Sequence, residues 1–332
     1  MSQIRISREN FFHNISQIAD KTQSVEKIAL VLKDNAYGHG LKIMANLAAE
    51  AGVRHAVVRS LAEANIVGEL FETILILSDT PSKPVSQRFR FVINDIDDIK
   101  KMPPDLSIEL KVDTGMHRNG IEPDRFKEAV GKIFQRGLHL KGVMTHYRSA
   151  DELGSDFFWQ KKRFEEIKDE AKELGLTDIR WHSCNSAALF RLNSFDEDIA
   201  RVGIAAYGCL SMPSSFDTPE LKPVMSLWAK RVSSRRAAPA SRIGYGGEGR
   251  VEKDCIVSSY DIGYGDGWQR AAYTLPDGRP IIGRVSMDMI SVEGKDENIC
   301  IFSDAAEAAR QLGTISYVVM TQLSPSIERV VV

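Results

Sequence analysis

The residues of this chain that could do chemistry are mostly amines, guanidiniums and imidazoles, and several stand just where a short apolar run ends. Lys33 closes the run 28–32, Ile-Ala-Leu-Val-Leu, and is followed by Asp-Asn-Ala-Tyr-Gly-His-Gly. A strand-end lysine ordinarily snorkels its ammonium out into solvent. The alternative is a desolvated amine, the kind of nucleophile that holds a carbonyl cofactor as a Schiff base. Lys33 does not stand alone. Lys111, Asp113 and Arg118 follow the run 108–112, and His146 follows 140–144. His182, Asn185 and Ser186 follow 178–181, while Arg201, Gly203 and Ile204 close or follow 198–202.

Those runs belong to a regular alternation. Short apolar segments at 28–32, 56–58, 74–77, 91–93, 108–112, 140–144, 178–181 and 198–202 are separated by amphipathic stretches such as 41–51, 61–70, 124–135 and 158–174. Buried parallel strands read as continuous apolar runs, and the intervening helices show a 3.6-residue period. Eight such strands predict an α/β chain with an N-terminal (β/α)8 barrel over residues 9–215. No G-x-G-x-x-G follows the first strand, which disfavours a dinucleotide-binding sheet. In a barrel the active site lies at the carboxyl ends of the strands, so these scattered residues would converge on one rim.

Beyond residue 220 glycine-punctuated strand patterns take over, at 225–232, 255–260, 281–285, 289–292, 299–302, 317–322 and 328–332, with one helix at 304–312. They predict a mostly β domain over 220–332, with residues 1–8 available to join it as a strand. The segment 210–223, carrying Pro213, Pro219 and Pro223, reads as the linker.

Composition narrows the function. Of 332 residues 43% are hydrophobic, enough for a substantial core, and a net charge of −2 offers nothing to a polyanion or an anionic membrane surface. No apolar run reaches transmembrane length and the start has no signal-like apolar region. Cys184, Cys209, Cys255 and Cys300 are too widely spaced for a metal or disulfide framework. The expectation is a soluble, reduced, cytoplasmic protein with no metal, no nucleic acid and no membrane.

At this point the motifs take a recognisable order. L-K-D-N-A-Y-G-H-G at 32–40, L-K-V-D-T-G-M-H-R-N-G at 110–120, T-H-Y-R-S-A-D-E at 145–152, H-S-C-N-S-A at 182–187 and R-V-G-I-A-A-Y-G at 201–208 come first. I-G-Y-G at 243–246, I-G-Y-G-D-G-W at 262–268 and G-R-V-S-M-D-M at 283–289 follow. The set resembles the alanine racemase family, enzymes dependent on pyridoxal 5′-phosphate (PLP). The resemblance implies a cytoplasmic homodimer with shared active sites that interconverts L- and D-alanine for peptidoglycan. Two other readings remain beside it: a broader amino-acid racemase that takes serine, and a non-catalytic PLP-binding barrel. The tyrosine-bearing β domain speaks against the second.

The resemblance assigns roles position by position. Lys33 is the Schiff-base lysine and one catalytic base. Tyr245, from the other subunit, is the second base, with Tyr264 its rival and otherwise placed at the substrate entrance. A phenol ordinarily titrates near ~10, so a tyrosine base needs tuning neighbours. His146 is expected to bond to Tyr245 and to link onward to Arg201, which would donate to the pyridine nitrogen. Tyr37, Ser186, the backbone of Gly203 and Ile204, and Tyr317 would hold the phosphate, with Asn185 beside them. Arg118 would touch the cofactor oxygen and the substrate carboxylate, and Met287 and Asp288 would reach the pocket from the partner. Lys111 matches a lysine that is carbamylated in many relatives; its plainer reading is an ion pair with Asp113. His39 reads as a loop-shaping residue, and Asp34, unusual beside the lysine, is expected to point away from the pocket.

Overall fold

A computed structural model describes every residue except Pro84. The first strand, β1 (Gln3–Ile6), precedes the helix Arg8–Thr22, which is capped by the Ser7 hydroxyl accepting from the Asn10 amide. Eight strands then alternate with helical segments: β2 (Ile28–Val31), β3 (His55–Val58), β4 (Thr73–Ile76), β5 (Phe89–Ile93), β6 (Ser107–Lys111), β7 (His139–Met144), β8 (Arg180–His182) and β9 (Ala200–Val202). They form one parallel sheet in the order β8-β7-β6-β5-β4-β3-β2-β9. Its two ends approach each other where the Arg201 amide donates to the Cys184 carbonyl at 2.9 Å, giving a nearly closed barrel. β2, β6 and β9 are buried along their whole length, as strands covered on both faces must be. Each outer helix buries one face. In Phe126–Gln135 it is Phe126, Ala129, Val130 and Ile133 that turn inward.

The second sheet runs β14-β13-β10-β1-β16, with β15 also on β10. These strands are β10 (Met225–Ala237), β13 (Cys255–Tyr260), β14 (Ile290–Glu293), β15 (Asn298–Phe302) and β16 (Glu328–Val331); β11 (Arg242–Ile243) and β12 (Gly249–Arg250) form a separate hairpin. β1 lies between β10, antiparallel, and β16, parallel, so both chain ends enter one sheet.

Some expected elements are different. The segment 317–322 lies in a helix, Ser316–Thr321, that buries Ser316, Val319 and Met320. A short apolar run cannot by itself separate a strand from a buried helical turn. Segment 281–285 is not a strand: its backbone turns at Gly283 with φ of 74°, which no ladder accommodates. Two barrel strands begin about two residues later than expected. Asp198 precedes β9, and its carboxylate accepts the Trp181 amide at 2.6 Å instead of extending the strand.

Candidate active site

One cavity of about 820 Å³ opens at the carboxyl ends of the barrel strands, lined among others by Lys33, Lys111, Arg118, His146, Arg201 and Tyr317. Convergence on this rim follows from topology, since parallel strands deliver all their carboxyl ends to one side.

The exit of β2 is unusual. Asp34, Asn35, Ala36 and Tyr37 all have positive φ, between 52° and 55°, making one turn of left-handed helix. Such backbone costs roughly 1–2 kcal/mol per residue for L-amino acids and needs outside support. Glu63 accepts the Asp34 amide at 2.8 Å, Asn35 Oδ1 accepts the Leu41 amide at 2.8 Å, and the Ala36 amide donates to the Leu32 carbonyl at 2.8 Å. His39 Nδ1 bonds to the carbonyls of Ala36 and Tyr37 at 3.0 and 3.1 Å, so the loop-shaping reading describes its contacts. Burial pushes that imidazole down to about 4, leaving it neutral. Behind the turn, Gly38 abuts the helix Ser316–Thr321 so closely that a Cβ would sit 2.1 Å from the Met320 carbonyl oxygen. The same packing brings the Tyr317 and Tyr37 rings to 5.6 Å. Tyr317 thus reaches the cavity from a helix, not from the expected strand.

Asp34 does not line the cavity. Its carboxylate lies 3.9 Å from Lys33 Nζ and 3.3 Å from Arg59 Nη1, a position shared between two cations at the loop surface.

Across the cavity, Ser186 opens a short helix capped by Asn185, whose side-chain oxygen accepts the Ala188 amide at 2.9 Å. Ser186 Oγ accepts the amides of Gly203 and Ala205 at 3.2 and 3.3 Å. Gly203 has to be small: a Cβ there would meet Tyr37 Oη at 2.6 Å. Hydroxyls and main-chain amides gathered around a glycine are the donors of an anion cradle. Burial, with Tyr317 and Asp34 adding to it, raises Tyr37, and burial pushes Tyr317 up to about 12, so both phenols keep their protons as donors.

Arg201 is buried and both terminal nitrogens of its guanidinium are engaged. Nη1 donates to His182 Nδ1 at 2.7 Å and to the His182 carbonyl at 2.9 Å; Nη2 donates to the carbonyls of Thr145 and Ser183 at 2.6 and 3.1 Å. Nη2 also lies 3.5 Å from His146 Nδ1. Burial, then Arg201, Lys111, Arg118 and Lys33, push His146 down to about 3, so it is a neutral imidazole among cations. Lys111 bonds to Asn119, not to Asp113, whose carboxylate accepts the amides of Gly115 and His117. Burial, then Arg118 and Arg201, lower its amine to about 8.

Of the five residues expected from the β domain, Tyr317 lines the cavity and the other four lie elsewhere. Tyr245, Tyr264 and Met287 are exposed by 64%, 44% and 56%, and none lines the large cavity of its own chain. Tyr245, Tyr264 and Arg270 border a separate cleft, while the Tyr264 and Gly265 amides bond to the carbonyls of Ser286 and Met287 at 3.1 and 2.8 Å, setting Asp288 beside Gly265. Within one chain His146 therefore does not reach Tyr245.

Sequence reasoning missed Glu109, Arg90, Arg180 and Glu197, all polar groups beneath the rim. A signal existed for Glu109: a carboxylate in the middle of the apolar run 108–112 has no place in a buried strand unless it is paired.

The fold is thus a parallel α/β barrel followed by a mostly β domain, with a lysine, an anion-type cradle and a buried arginine gathered on the barrel rim, the architecture of a barrel enzyme. Comparison with known proteins names the family. Residues 6–211 match the alanine racemase N-terminal domain and residues 224–331 the C-terminal domain. The chain is 43% identical over 333 residues to alanine racemase from Nitratiruptor sp. and 41% identical over 337 residues to that of Campylobacter curvus, with 99% of each chain covered in both cases. Its fold matches the crystal structure of alanine racemase from Bacillus anthracis with bound L-Ala-P at a TM-score of 0.88 and 26% identity, covering 100% of this chain and 95% of the other. This chain belongs to the alanine racemase family. The activity is that of an isomerase, an alanine racemase.

Proposed function

We propose that the rim cavity holds PLP at Lys33 and that racemisation uses two bases, Lys33 and a tyrosine from a second copy of the chain. The residues present fit the cofactor. Lys33 supplies an amine at the cavity wall; Tyr37, Ser186, Tyr317 and the backbone of Gly203 and Ile204 would hold its phosphate, with Asn185 fixing the helix start beneath; Arg201 would face its ring nitrogen. The observation that carries this reading is the cradle at Gly203, where only a glycine leaves room against Tyr37. When bound, PLP stabilises negative charge at the substrate α-carbon.

The protein's own part is orientation and proton handling. Lys33 Nζ stands on one side of the cavity and can take or return a proton there. Arg118 would bind the alanine carboxylate, as guanidiniums bind carboxylates elsewhere. A guanidinium only donates, so the Arg201 Nη2 contact with His146 Nδ1 at 3.5 Å favours the tautomer with its proton on Nε2. That N–H is then a donor for a phenol oxygen arriving from outside. We assign this phenol to Tyr245 of a second copy, with Tyr264, Met287 and Asp288 of the same exposed cluster walling the substrate entrance. Support comes from their shared exposure and from their absence from the cavity of their own chain. The reading thus includes a homodimer with shared sites, a barrel over 9–215 and a β domain over 220–332.

Lys111 is assigned as a carbamylation site. An amine lowered to about 8 is partly neutral near pH 7.5 and so can attack carbon dioxide, forming an N–C bond and releasing one proton. The product is an anion beside Arg118. D-alanine made here would enter peptidoglycan, and we place the enzyme in the cytoplasm, in keeping with its four free cysteines. The test is an absorbance spectrum of purified protein followed by D-alanine formation from L-alanine. Visible cofactor absorbance with turnover is expected; protein that binds no PLP contradicts the reading.

A further inference from the structure

We infer that Glu109 is a positioning residue for the reaction: it locks His182 in the tautomer that lets its other nitrogen hold Arg201. The inference rests on the reading of Arg201 as the group that faces the cofactor's ring nitrogen.

The geometry is a chain of contacts running down the barrel interior. Arg201 Nη1 lies 2.7 Å from His182 Nδ1, and His182 Nε2 lies 2.6 Å from Glu109 Oε2. A guanidinium has no lone pair to offer, so His182 Nδ1 must accept. A neutral imidazole that accepts at one nitrogen carries its proton on the other, here Nε2, which donates to the carboxylate. His182 is fully buried, and burial pushes it down to about 4, so the neutral form is the one present. Had Glu109 been absent or protonated as a donor, the ring would be free to place its proton on Nδ1, pointing N–H against N–H at Arg201.

Glu109 is built to stay ionised. It is fully buried on β6, two residues before Lys111, so both side chains lie on the same face of the strand. Burial alone would raise its carboxyl, but Arg180, His182 and Arg90 hold it well below the ordinary carboxylate range. Oε1 is 2.6 Å from Arg180 Nε and 3.2 Å from Arg90 Nη1, leaving Oε2 for the imidazole. Arg180 is fixed in turn, donating from Nη1 to Thr73 Oγ1 at 3.1 Å; the same hydroxyl lies 2.9 Å from His55 Nδ1. A carboxylate needed only to neutralise two arginines at the barrel floor would not require an imidazole on its second oxygen. The pair of hydrogen bonds through His182 instead couples the floor to the rim. Carboxylate–imidazole pairs that fix the orientation of a third group are well attested at metal sites, where losing the carboxylate commonly costs about 10- to 100-fold, and the same hydrogen-bond logic holds with a guanidinium as the third group.

The test uses PLP-loaded enzyme. In protein labelled with 15N-histidine, long-range proton–nitrogen correlation should show His182 protonated on Nε2 only. In Glu109→Gln, kcat should fall by about 10-fold or more while KM for alanine moves less than about 3-fold, with a shift in the visible band of the bound cofactor. His182→Gln should lower kcat similarly, and the double variant should lose little more, since both act through Arg201. Racemising enzyme whose His182 carries its proton on Nδ1 overturns the inference while leaving the assignment of Arg201 standing. Folded Glu109→Gln with unchanged kcat and cofactor band overturns it equally, showing a carboxylate that serves packing alone. The tautomer is read on the unaltered protein, so a Glu109→Gln chain that fails to fold still leaves a decisive measurement.

Discussion

The barrel rim and the exposed cluster of the β domain are opposite kinds of site. At the rim Arg201 is held by carbonyls and an imidazole, His146 is half-buried beside it, and the lysine turn is pinned by Glu63, Asn35 and His39. In the β domain Tyr245, Tyr264 and Met287 stand out into solvent, although glycine turns and main-chain hydrogen bonds fix the backbone that carries them. The rim is a cavity built within one chain, whereas the cluster is presented at the surface. On the proposed reading, the reaction's two proton-handling groups sit on these separate elements and have separate vulnerabilities.

The comparison breaks first at Lys33. Lys33→Ala should remove the cofactor's visible absorbance and lower racemisation by ~10³-fold or more; a variant that keeps either leaves Lys33 without its role. Tyr245→Phe should act on the other region alone, sparing cofactor absorbance while kcat falls by ~10²- to 10⁴-fold. Near-normal rates in both directions would assign the second base elsewhere, Tyr264 being the next to examine. Mixing the two inactive proteins under subunit exchange should restore roughly a quarter of normal activity, since half of the dimers would be mixed and each would keep one intact site. No recovery after verified exchange would confine each site to one chain.

Smaller effects sharpen the rim itself. Gly203→Ala should weaken PLP retention by about 10-fold, measured by dialysis against free cofactor, because the new methyl meets the Tyr37 hydroxyl. For Lys111 the sign follows from burial. The folded amine titrates at about 8, below its unfolded value, so holding the charged form costs stability that is lost in full below pH 8 and recovered as pH rises toward ~10.4. In carbon dioxide-free buffer Lys111→Gln should therefore be more stable than the parent at pH 7, on the order of 2 kcal/mol by urea unfolding, with the gap closing by pH 10. Bicarbonate should reverse the order by giving the parent a carbamate beside Arg118. An unchanged order would argue against carbamylation.

How much of this could be read from the residues varies with how local the cause is. The barrel strands were legible because burial on both faces writes itself as continuous apolar runs such as 28–32 and 108–112. The rim followed from parallel topology alone. The helix at Ser316–Thr321 was not legible: Val318 and Val319 favour strands locally, and the packing of Gly38 against Met320 settles the matter from the other end of the chain. The left-handed turn was equally hidden, since Asp34 through Tyr37 contain no glycine, and the supports come from Glu63 and the following loop. Glu109 could have been flagged as a charge inside an apolar strand, but its partners lie on β5 and β8 and only folding assembles them.

Two lysines face the cavity, Lys33 and the buried Lys111 with its lowered amine, and the account gives the cofactor to the first. Borohydride reduction of the PLP-loaded enzyme, followed by peptide mass mapping, tests that directly. The account predicts the pyridoxyl group on the peptide carrying Lys33 and nowhere else. The label on Lys111, or on no cavity lysine, would contradict it.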